Sequence, residues 1–461
     1  MQLAFLGRLL DDEQVVMSDD ARTDHGHDWG TPADDGTPPD AVVYPESTAD
    51  VAAVLEAATE RTIPVTPYAA GTGIQGSAVP NAGGISMDLT RMDAIGPIRP
   101  DALQVDVQPG VLGSDLNDAL AAEGLFFPSL PASGDMATVG GMIATDASGM
   151  RTVKYGEVGD RVLRLEAVLP DGTVIETGSR AAKSSSGYNL TDLLVGSEGT
   201  LAVVTEATLA VAPQPAWVYG GRVLFEDRIA AAAAVAETIQ AGIDVAKIEL
   251  VDAVSAAMVN AYLETELPDA PMVFVEFHGP AERADAVETF RSIATTHDAQ
   301  QIDLAPAGEE LDALWAARAQ LSEALRPYDP ELTPIALGDV AVPIDEFAPL
   351  IGDISRWAEE EELLIPCFGH AGDGNVHYAI MARADDPEHV ATCERVNERI
   401  IERAIERGGT ATGEHGIGTH KREHLRDEFN DATLAMMHRL KQSIDPAGIL
   451  NPDTAIPDPS A

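Results

Sequence analysis

His370 and His377 flank Asp373-Gly374, a dipeptide suited to the two central positions of a tight hairpin. In that hairpin 372 pairs with 375, 371 with 376, and His370 with His377, which puts their Cβ atoms about 5 Å apart. Two imidazoles so placed could grip one metal ion. Glu414, in the run Thr412-Gly413-Glu414-His415-Gly416, offers a third ligand. Two histidines and one carboxylate with coordination positions left open describe a catalytic metal site better than a structural one. The residues alone equally describe a hairpin with solvated histidines beside an unrelated glycine turn.

A second kind of chemistry is suggested by small residues. Gly71-Thr72-Gly73-Ile74-Gln75-Gly76 matches G-x-G-x-x-G, but Pro80 and Gly83-Gly84 follow, then a strand-like Ile85 to Leu89. The dinucleotide fingerprint needs a helix directly after the loop, so NAD binding is not expected. The loop still suits a phosphate, because successive glycines let several backbone amides converge on one anion. Pro131-Ala132-Ser133-Gly134-Asp135 through Gly140-Gly141-Met142-Ile143, and Gly196-Ser197-Glu198-Gly199-Thr200, repeat the pattern. Each alone is an ordinary turn; three in one region suggest a long ligand lying across the fold.

The elements that must carry these loops are legible in outline. Val51, Val54, Leu55 and Ala58 share one helical face behind the capping candidates Ser47 and Thr48. Ile63–Tyr68 and Gln104–Val107 read as strands, Leu112–Glu123 as a helix, and Leu163–Leu169 with Thr173–Glu176 as a hairpin around Asp171-Gly172. Few connections are long enough for helices, so this region is α+β and not doubly wound. Pro213 and Pro215 mark a boundary. Beyond it, strands Tyr219–Phe225, Val245–Leu250 and Met272–Phe277 alternate with helices Ile229–Ala241 and Glu282–His297. That order predicts a ferredoxin-like sheet with helices on one face. No repeat of 20 to 50 residues is visible, and the Pro-rich tail from Ile444 to Pro459 is expected to pack back on the first domain.

At 461 residues the chain is too long for one ordinary core. Its 45% apolar content fits a globular protein, and no apolar run reaches the roughly 20 residues needed to cross a bilayer. The apolar patch in Met1–Leu10 runs straight into Asp11, Asp12 and Glu13 without a small-residue cleavage pattern, so no signal peptide is expected. The compartment expected is the cytosol, with peripheral attachment at the inner face of a membrane as the alternative. Two cysteines, Cys367 and Cys393, cannot supply the roughly four thiolates of an iron–sulfur cluster, so any such carrier must lie on another chain. The net charge of −47 comes from 76 acidic residues against 29 basic ones. Only five of the basic residues are lysines: Lys154, Lys183, Lys247, Lys421 and Lys441. Acid spread along the whole chain is a solvation strategy that predicts a halophilic protein. Nucleic acid is excluded as a partner for want of a basic face.

The run Pro64-Val65-Thr66-Pro67-Tyr68-Ala69-Ala70-Gly71-Thr72-Gly73, with Val139-Gly140-Gly141-Met142-Ile143-Ala144-Thr145, resembles the flavin domain of the vanillyl-alcohol-oxidase or PCMH-type FAD proteins. The block Gly187-Tyr188-Asn189-Leu190-Thr191-Asp192-Leu193-Leu194-Val195-Gly196-Ser197-Glu198-Gly199-Thr200-Leu201 resembles the subfamily of glycolate oxidase catalytic subunits and D-lactate dehydrogenases. So does the ending Asp445-Pro446-Ala447-Gly448-Ile449-Leu450-Asn451-Pro452. The resemblance implies an α+β fold with a PCMH-type FAD-binding domain over 1–213 (core about 38–213). It further implies a ferredoxin-like α/β substrate and metal domain of the FAD-linked oxidase C-terminal type over 214–443. A tail over 444–461 would return to the flavin domain.

By the same resemblance Ala70, Gly71, Thr72, Gly73, Ile74, Gly76 and Ser77 cradle the FAD pyrophosphate. Pro131, Ser133, Gly134, Asp135, Thr138, Gly140, Gly141 and Thr145 line the flavin. Glu198, Thr200 and Val204 lie near its adenine side, and Asn451 belongs to the cofactor set. No histidine stands where relatives carry a covalent link, so non-covalent FAD is implied. His370, His377 and Glu414 become the ligands of a divalent metal, with zinc, manganese and iron all open, and His415 the base. Arg318 on its own reads as a surface arginine on a helix whose apolar positions are Leu311, Leu314 and Leu321. The resemblance assigns it to the substrate carboxylate, which a guanidinium grips in a fork. Some relatives carry a lysine just before the segment matching Asp339-Val340-Ala341-Val342-Pro343. Leu337-Gly338 stands here, which favours small monocarboxylates over 2-hydroxyglutarate-like diacids.

The implied reaction is oxidation of a D-2-hydroxy acid such as D-lactate or glycolate to the 2-oxo acid. Hydride passes to flavin N5 while His415 takes the proton of a metal-bound hydroxyl. The implied electron acceptor is a partner protein, a quinone or a carrier flavoprotein, a separate iron–sulfur subunit included; oligomeric state is left open. Two competing readings are a metal-dependent hydrolase built on the same cluster, which leaves the glycine loops unexplained, and a non-catalytic flavin-binding subunit.

Overall fold

Short apolar runs separated by Gly and Pro can pair only through turns, and the N-terminal half accordingly forms small sheets. The computed structural model describes residues 3–326 and 328–458, so Met1 and Gln2 of the apolar N-terminal patch and Pro459 of the tail lie outside the described residues. The first sheet has order β1-β2-β4-β3 from β1 (Val15–Val16), β2 (Ala41–Val43), β3 (Val65–Tyr68) and β4 (Ile85–Asp88). The second uses β5 (Ile95–Arg99), β6 (Gln104–Val107), β8 (Val162–Val168), β9 (Val174–Gly178) and β10 (Val203–Ala210), in the order β5-β6-β10-β8-β9. Between and after these, β7 (Leu125–Phe126) pairs with β11 (Ala212–Pro213).

The helix Thr48–Arg61 starts where the Ser47 side chain accepts a hydrogen bond from the Asp50 amide at 3.2 Å. It buries Val51, Val54, Leu55 and Ala58 against Val43, Val65, Ile85 and Met87 of the first sheet. Each of its larger side chains contributes roughly 1.5–3 kcal/mol. This packing seats β3, whose C-terminal end opens directly into the glycine loop. No helix follows that loop; the chain turns and enters β4, parallel to β3. The β8–β9 hairpin closes through Pro170-Asp171-Gly172, with Leu169 bonded to Thr173 and Gly172 at φ +81°.

The second half forms one seven-stranded antiparallel sheet. Its strands are β12 (Trp217–Leu224), β13 (Lys247–Val251), β14 (Met272–Gly279), β15 (Gln301–Pro306), β16 (Thr333–Ala341), β17 (Cys367–Gly369) and β18 (Asn375–Ala382), in the order β15-β12-β14-β13-β17-β18-β16. β15-β12-β14-β13 is the ferredoxin-like order, with helices Arg228–Gln240 and Ala284–Thr296 as crossovers. The remainder repeats it: β16, helix Ile344–Glu360, β17, β18, helix Pro387–Glu406, then Thr410 bridging back to Ala341. The two halves join edge to edge through β13 and β17.

Strand alternation sorts the sheet's faces. Ile248, Leu250, Val273, Val275, Phe277, Val376, Tyr378 and Ile380 meet the four crossover helices. Val251, Phe274, Phe368, Ala379 and Met381 face the opposite way, against Met258, Val259, Leu311 and Trp315. The same second face carries Lys247, Glu249, Glu276, His278, Asp339 and His377, all buried.

The chain divides into two compact units. One comprises Met1–Ser148, Gly156–Gln214 and Glu414–Ala461; the other Gly149–Tyr155 and Pro215–Gly413. Against boundaries expected at 213/214 and 443/444, the chain re-enters the first unit at Glu414, and a seven-residue excursion at 149–155 belongs to the second.

Candidate active site

In the first unit the glycine loop is shaped by the segment before β2. Asp28, buried, accepts from the amides of Gly76 and Thr31, both at 2.8 Å, and the Trp29 and Gly30 amides bond to the carbonyls of Gly71 and Gly73. Gly71 and Gly76 adopt φ +65° and +77°, a region costly to any side-chain-bearing residue. Among the described residues, the amides of Gly71, Thr72, Gly73, Ile74 and Gln75 donate to no protein acceptor. A run of undonated amides fits the oxygens of a diphosphate.

The second and third small-residue stretches converge on this loop. Thr138 caps the helix Val139–Thr145 by accepting from Gly141, Gly140 packs on Pro109, and Thr145 bonds back to the Gly141 carbonyl. The Gly196 and Glu198 amides donate to Ile143 and Ala144 of that helix, and Thr200 closes its turn onto Ser197. A Cβ on Gly199 would fall 2.9 Å from Pro67 of β3, so only glycine allows the approach. Asn451 then ties two loops together, its Nδ2 donating to the carbonyls of Ser77 (2.9 Å) and Glu198 (2.7 Å). The strand-like segment before it is joined to β3, where the Val65 amide donates to Ile449 and the Asn451 amide to Val65. Pro131, Ser133 and Gly134 form a turn in which Gly134 bonds to Pro131, Asp135 follows exposed, and Val204 lies on β10 opposite Ala167.

Glu414 and His415 begin the last stretch of this unit, and Glu198 anchors it. Its carboxylate accepts from the amides of Ile417 (2.9 Å) and Gly418 (2.7 Å). Burial pushes its carboxyl up to about 7, and the two amides oppose the shift without cancelling it. The Gln75 carbonyl accepts from Thr419 and His420, so the stretch is stitched to the glycine loop as well. His415 Nε2 lies 3.6 Å from Glu414 Oε1.

In the second unit the expected hairpin pairing of His370 with His377 is incorrect. His377 pairs with Phe368 and Tyr378 with Cys367, because a 3-10 turn at Ala371–Asp373 takes up residues that a two-residue hairpin would have placed in the ladder. The two rings still meet: their centroids are 5.0 Å apart and nearly perpendicular, with a nitrogen of each within 4.8 Å of one on the other.

Each imidazole is backed by a buried carboxylate. His370 Nδ1 lies 2.8 Å from Glu249 Oε1, and since a carboxylate only accepts, Nδ1 carries the hydrogen, which in the neutral ring leaves the lone pair on Nε2. His377 Nδ1 lies 3.5 Å from Asp339 Oδ1. Asp339 also accepts from Asn375 Nδ2, the Thr412 hydroxyl and the Gly413 amide, which fixes the residue directly preceding Glu414 in the chain. An imidazole held by a hydrogen bond to a carboxylate, as His370 is by Glu249, is the usual outer support of a metal site. The donor set fits a divalent transition metal, and we find no side chain in it that would exclude one.

Arg318, read from sequence as a surface arginine or a substrate clamp, is only 3% exposed. Its Nε donates to Glu249 Oε2 at 2.8 Å, and Nη2 lies 2.7 Å from the same oxygen, off the hydrogen-bonding direction. No other described acceptor takes a hydrogen bond from this guanidinium, so its end-on edge keeps donors for a carboxylate. One turn earlier, the buried Trp315 indole N–H has no partner among the described residues.

Sequence reasoning missed Asp28, Glu249, Lys247, Glu276 and His278. Lys247 lies 3.1 Å from Glu276 Oε1 and 4.2 Å from the Trp315 ring centroid. Burial lowers its pKa to about 8 against the pull of Glu276. Burial also works against the Glu276 carboxylate, but the hydrogen bond from His278 and the Lys247 ammonium prevail and hold it at about 2. His278 donates from Nε2 to Glu276 (2.6 Å) and accepts at Nδ1 from the Tyr155 hydroxyl (2.9 Å). The signal available was the alternation of charged and apolar residues in Lys247-Ile248-Glu249-Leu250 and in Glu276-Phe277-His278, within otherwise apolar strands.

Comparison with known proteins supplies the context. Residues 39–178 match the FAD binding domain model, and residues 214–455 match the model for the C-terminal domain of FAD linked oxidases. A mitochondrial D-lactate dehydrogenase (cytochrome) of Arabidopsis thaliana is 36% identical over 420 residues, covering 91% of this chain and 74% of the relative. A glycolate oxidase subunit of Bacillus subtilis is 36% identical over 417 residues, covering 90% and 88%. Among solved structures, p-cresol methylhydroxylase superposes with a TM-score of 0.78 at 17% identity, covering 98% of this chain and 96% of that one. The 4-ethylphenol oxidase of Gulosibacter chungangensis gives 0.74 at 18%, covering 99% and 97%. The chain therefore belongs to the FAD-linked oxidases, two-domain flavoproteins of PCMH-type fold.

Proposed function

We propose that this protein oxidises a small D-2-hydroxy acid, D-lactate or glycolate, to the 2-oxo acid. The observation that carries the reading is the pair of carboxylate-backed imidazoles beside an arginine whose outer edge is uncommitted, in a chain of this family. The first unit is the flavin domain and the second the substrate domain. FAD, held non-covalently by Ala70–Ser77, the 131–145 stretch and Glu198–Val204, supplies the acceptor for the hydride from C2. A divalent metal on His370 and His377 would lower the pKa of the substrate hydroxyl.

This chain's residues do the rest. Arg318 binds the substrate carboxylate through its end-on edge and orients C2. His415 takes the hydroxyl proton. Leu337-Gly338 offers no cation for a second carboxylate, which favours a monocarboxylate. Electrons then pass to a partner protein, a quinone, a carrier flavoprotein or a separate iron–sulfur subunit. Cys367 and Cys393 are buried and far too few to hold a cluster. No helix among the described residues is long and apolar enough to cross a membrane. A high-salt environment is what we infer from the charge. A hydrolase using the same cluster is not favoured, since both units match the parts of a flavin oxidase.

The test is anaerobic mixing of the yellow protein with D-lactate, L-lactate and glycolate. Bleaching near 450 nm (roughly, as for any oxidised flavin) by the D-acid or glycolate and not by L-lactate is expected. No bleaching by any of the three would remove the substrate assignment. His415→Ala is expected to retain FAD but to lose bleaching by at least about 100-fold in rate; an unchanged rate would remove His415 from its role.

A further inference from the structure

We infer that Glu249 is a positioning residue that holds the substrate clamp and a metal ligand in one geometry, an inference that rests on the roles proposed above for Arg318 and His370. Glu249 is fully buried on β13. The β13–β17 ladder pairs Val251 with Phe368 and Leu250 with Gly369. One step further along that register sets Glu249 opposite His370, just past the end of β17. His370 is thus outside the ladder, and strand pairing does not fix its ring. The carboxylate does so instead, with its two oxygens divided: Oε1 takes the Nδ1–H of His370 and Oε2 takes Arg318.

The division has two consequences. The acceptor at Oε1 keeps His370 in the tautomer whose Nε2 lone pair can bind a metal. The anchor at Oε2 occupies the side edge of the guanidinium, which leaves the end-on edge to face a substrate carboxylate, while the Phe368 ring, 5.1 Å from the guanidinium carbon, limits its swing. A carboxylate buried only to pair Arg318 would need no imidazole on its other oxygen. One that serves both groups makes the spacing between metal and carboxylate clamp a property of a single rigid side chain.

The experiment compares wild type, Glu249→Gln, Glu249→Asp and His370→Ala as full-length FAD-loaded proteins. Each is stripped of metal by chelation, titrated with Mn²⁺ and Zn²⁺, and assayed for KM and kcat with D-lactate. In Glu249→Gln the amide oxygen stays on Arg318 and the amide NH2 faces His370, which drives the imidazole proton to Nε2. Metal affinity is expected to fall about 10- to 100-fold, as for loss of other outer-shell partners. KM should rise, with FAD content and melting temperature held. Glu249→Asp keeps the charge but is too short to reach both partners, and is expected either to lose metal affinity or to raise KM. If His370→Ala loses metal while both Glu249 variants bind it and D-lactate as wild type does, the positioning role is overturned. Should Glu249→Gln not fold, Glu249→Asp alone decides by the same criterion. If His370→Ala retains wild-type metal affinity, the metal reading itself fails, and the inference with it.

Discussion

Glu198 shows what one buried carboxylate does to the chemistry around it. Its two oxygens are filled by the amides of Ile417 and Gly418, two and three residues beyond His415, so it fixes the course of the stretch that carries the proposed base. Burial raises its folded pKa to about 7 from the ordinary 4.5. A raised folded pKa means that the native state binds the proton more tightly than the unfolded one. The resulting stability is full below about pH 4.5 and is lost as pH rises through about 7. Glu198→Gln, which cannot ionise, should flatten the fall in melting temperature between about pH 5 and 8 at fixed salt; an unchanged slope would show that Glu198 does not titrate there. Residue identities at this scale were legible as motifs, the glycine loop and Glu414-His415 among them. Their partners were not. Glu249 meets Arg318 from 69 residues away and His370 from 121, and nothing in local spacing announces such a pairing.

Between elements, cross-strand register decides which substitutions the substrate domain tolerates. Gly338 pairs directly with Tyr378, and a Cβ at 338 would run into the Tyr378 ring, which is buried with its hydroxyl bonded to Asn397 at 2.9 Å. Glycine there is a packing requirement of the β16–β18 ladder, on the face of the sheet that meets the crossover helices. Gly338→Ala is expected to destabilise by about 1–3 kcal/mol, read from denaturant unfolding at high salt. A loss under about 0.5 kcal/mol, within the range of an ordinary surface change, would mean that the ring moves aside freely. Helices and strands with clear periodicity lay within a few residues of expectation, as for Thr48–Arg61 behind Ser47. The His370–His377 hairpin did not, because a 3-10 turn and a two-residue turn draw on the same Gly and Asp residues. The doubled ferredoxin-like pattern was hidden too: its copies share an order of strands and helices, and that order leaves no residue-by-residue repeat.

For the molecule as a whole, charge is expected to set a condition for folding beside packing. Of five lysines, Lys247 and Lys421 are buried, Lys441 donates to the Thr200 and Leu450 carbonyls and to Asp445, and Lys154 pairs with Asp244. Lys183 is the exposed one. The ammonium groups that remain are mostly those the interior uses, and the arginines leave the carboxylates in large excess, for a net −47. Self-repulsion of that size is tolerable when the Debye length is about 3 Å, near 1 M salt, and reaches across the surface when it is about 30 Å, near 0.01 M. Unfolding followed by circular dichroism should therefore be cooperative in molar KCl, and structure should be lost on dialysis to about 50 mM. Retention of full cooperative folding at low salt would show that apolar burial alone, in cores such as that around Phe277 and Phe290, outweighs the repulsion. Substituting exposed acids by their amides separates the two contributions. If repulsion governs, each removed charge lowers the salt concentration at the folding midpoint; if burial governs, the midpoint does not move.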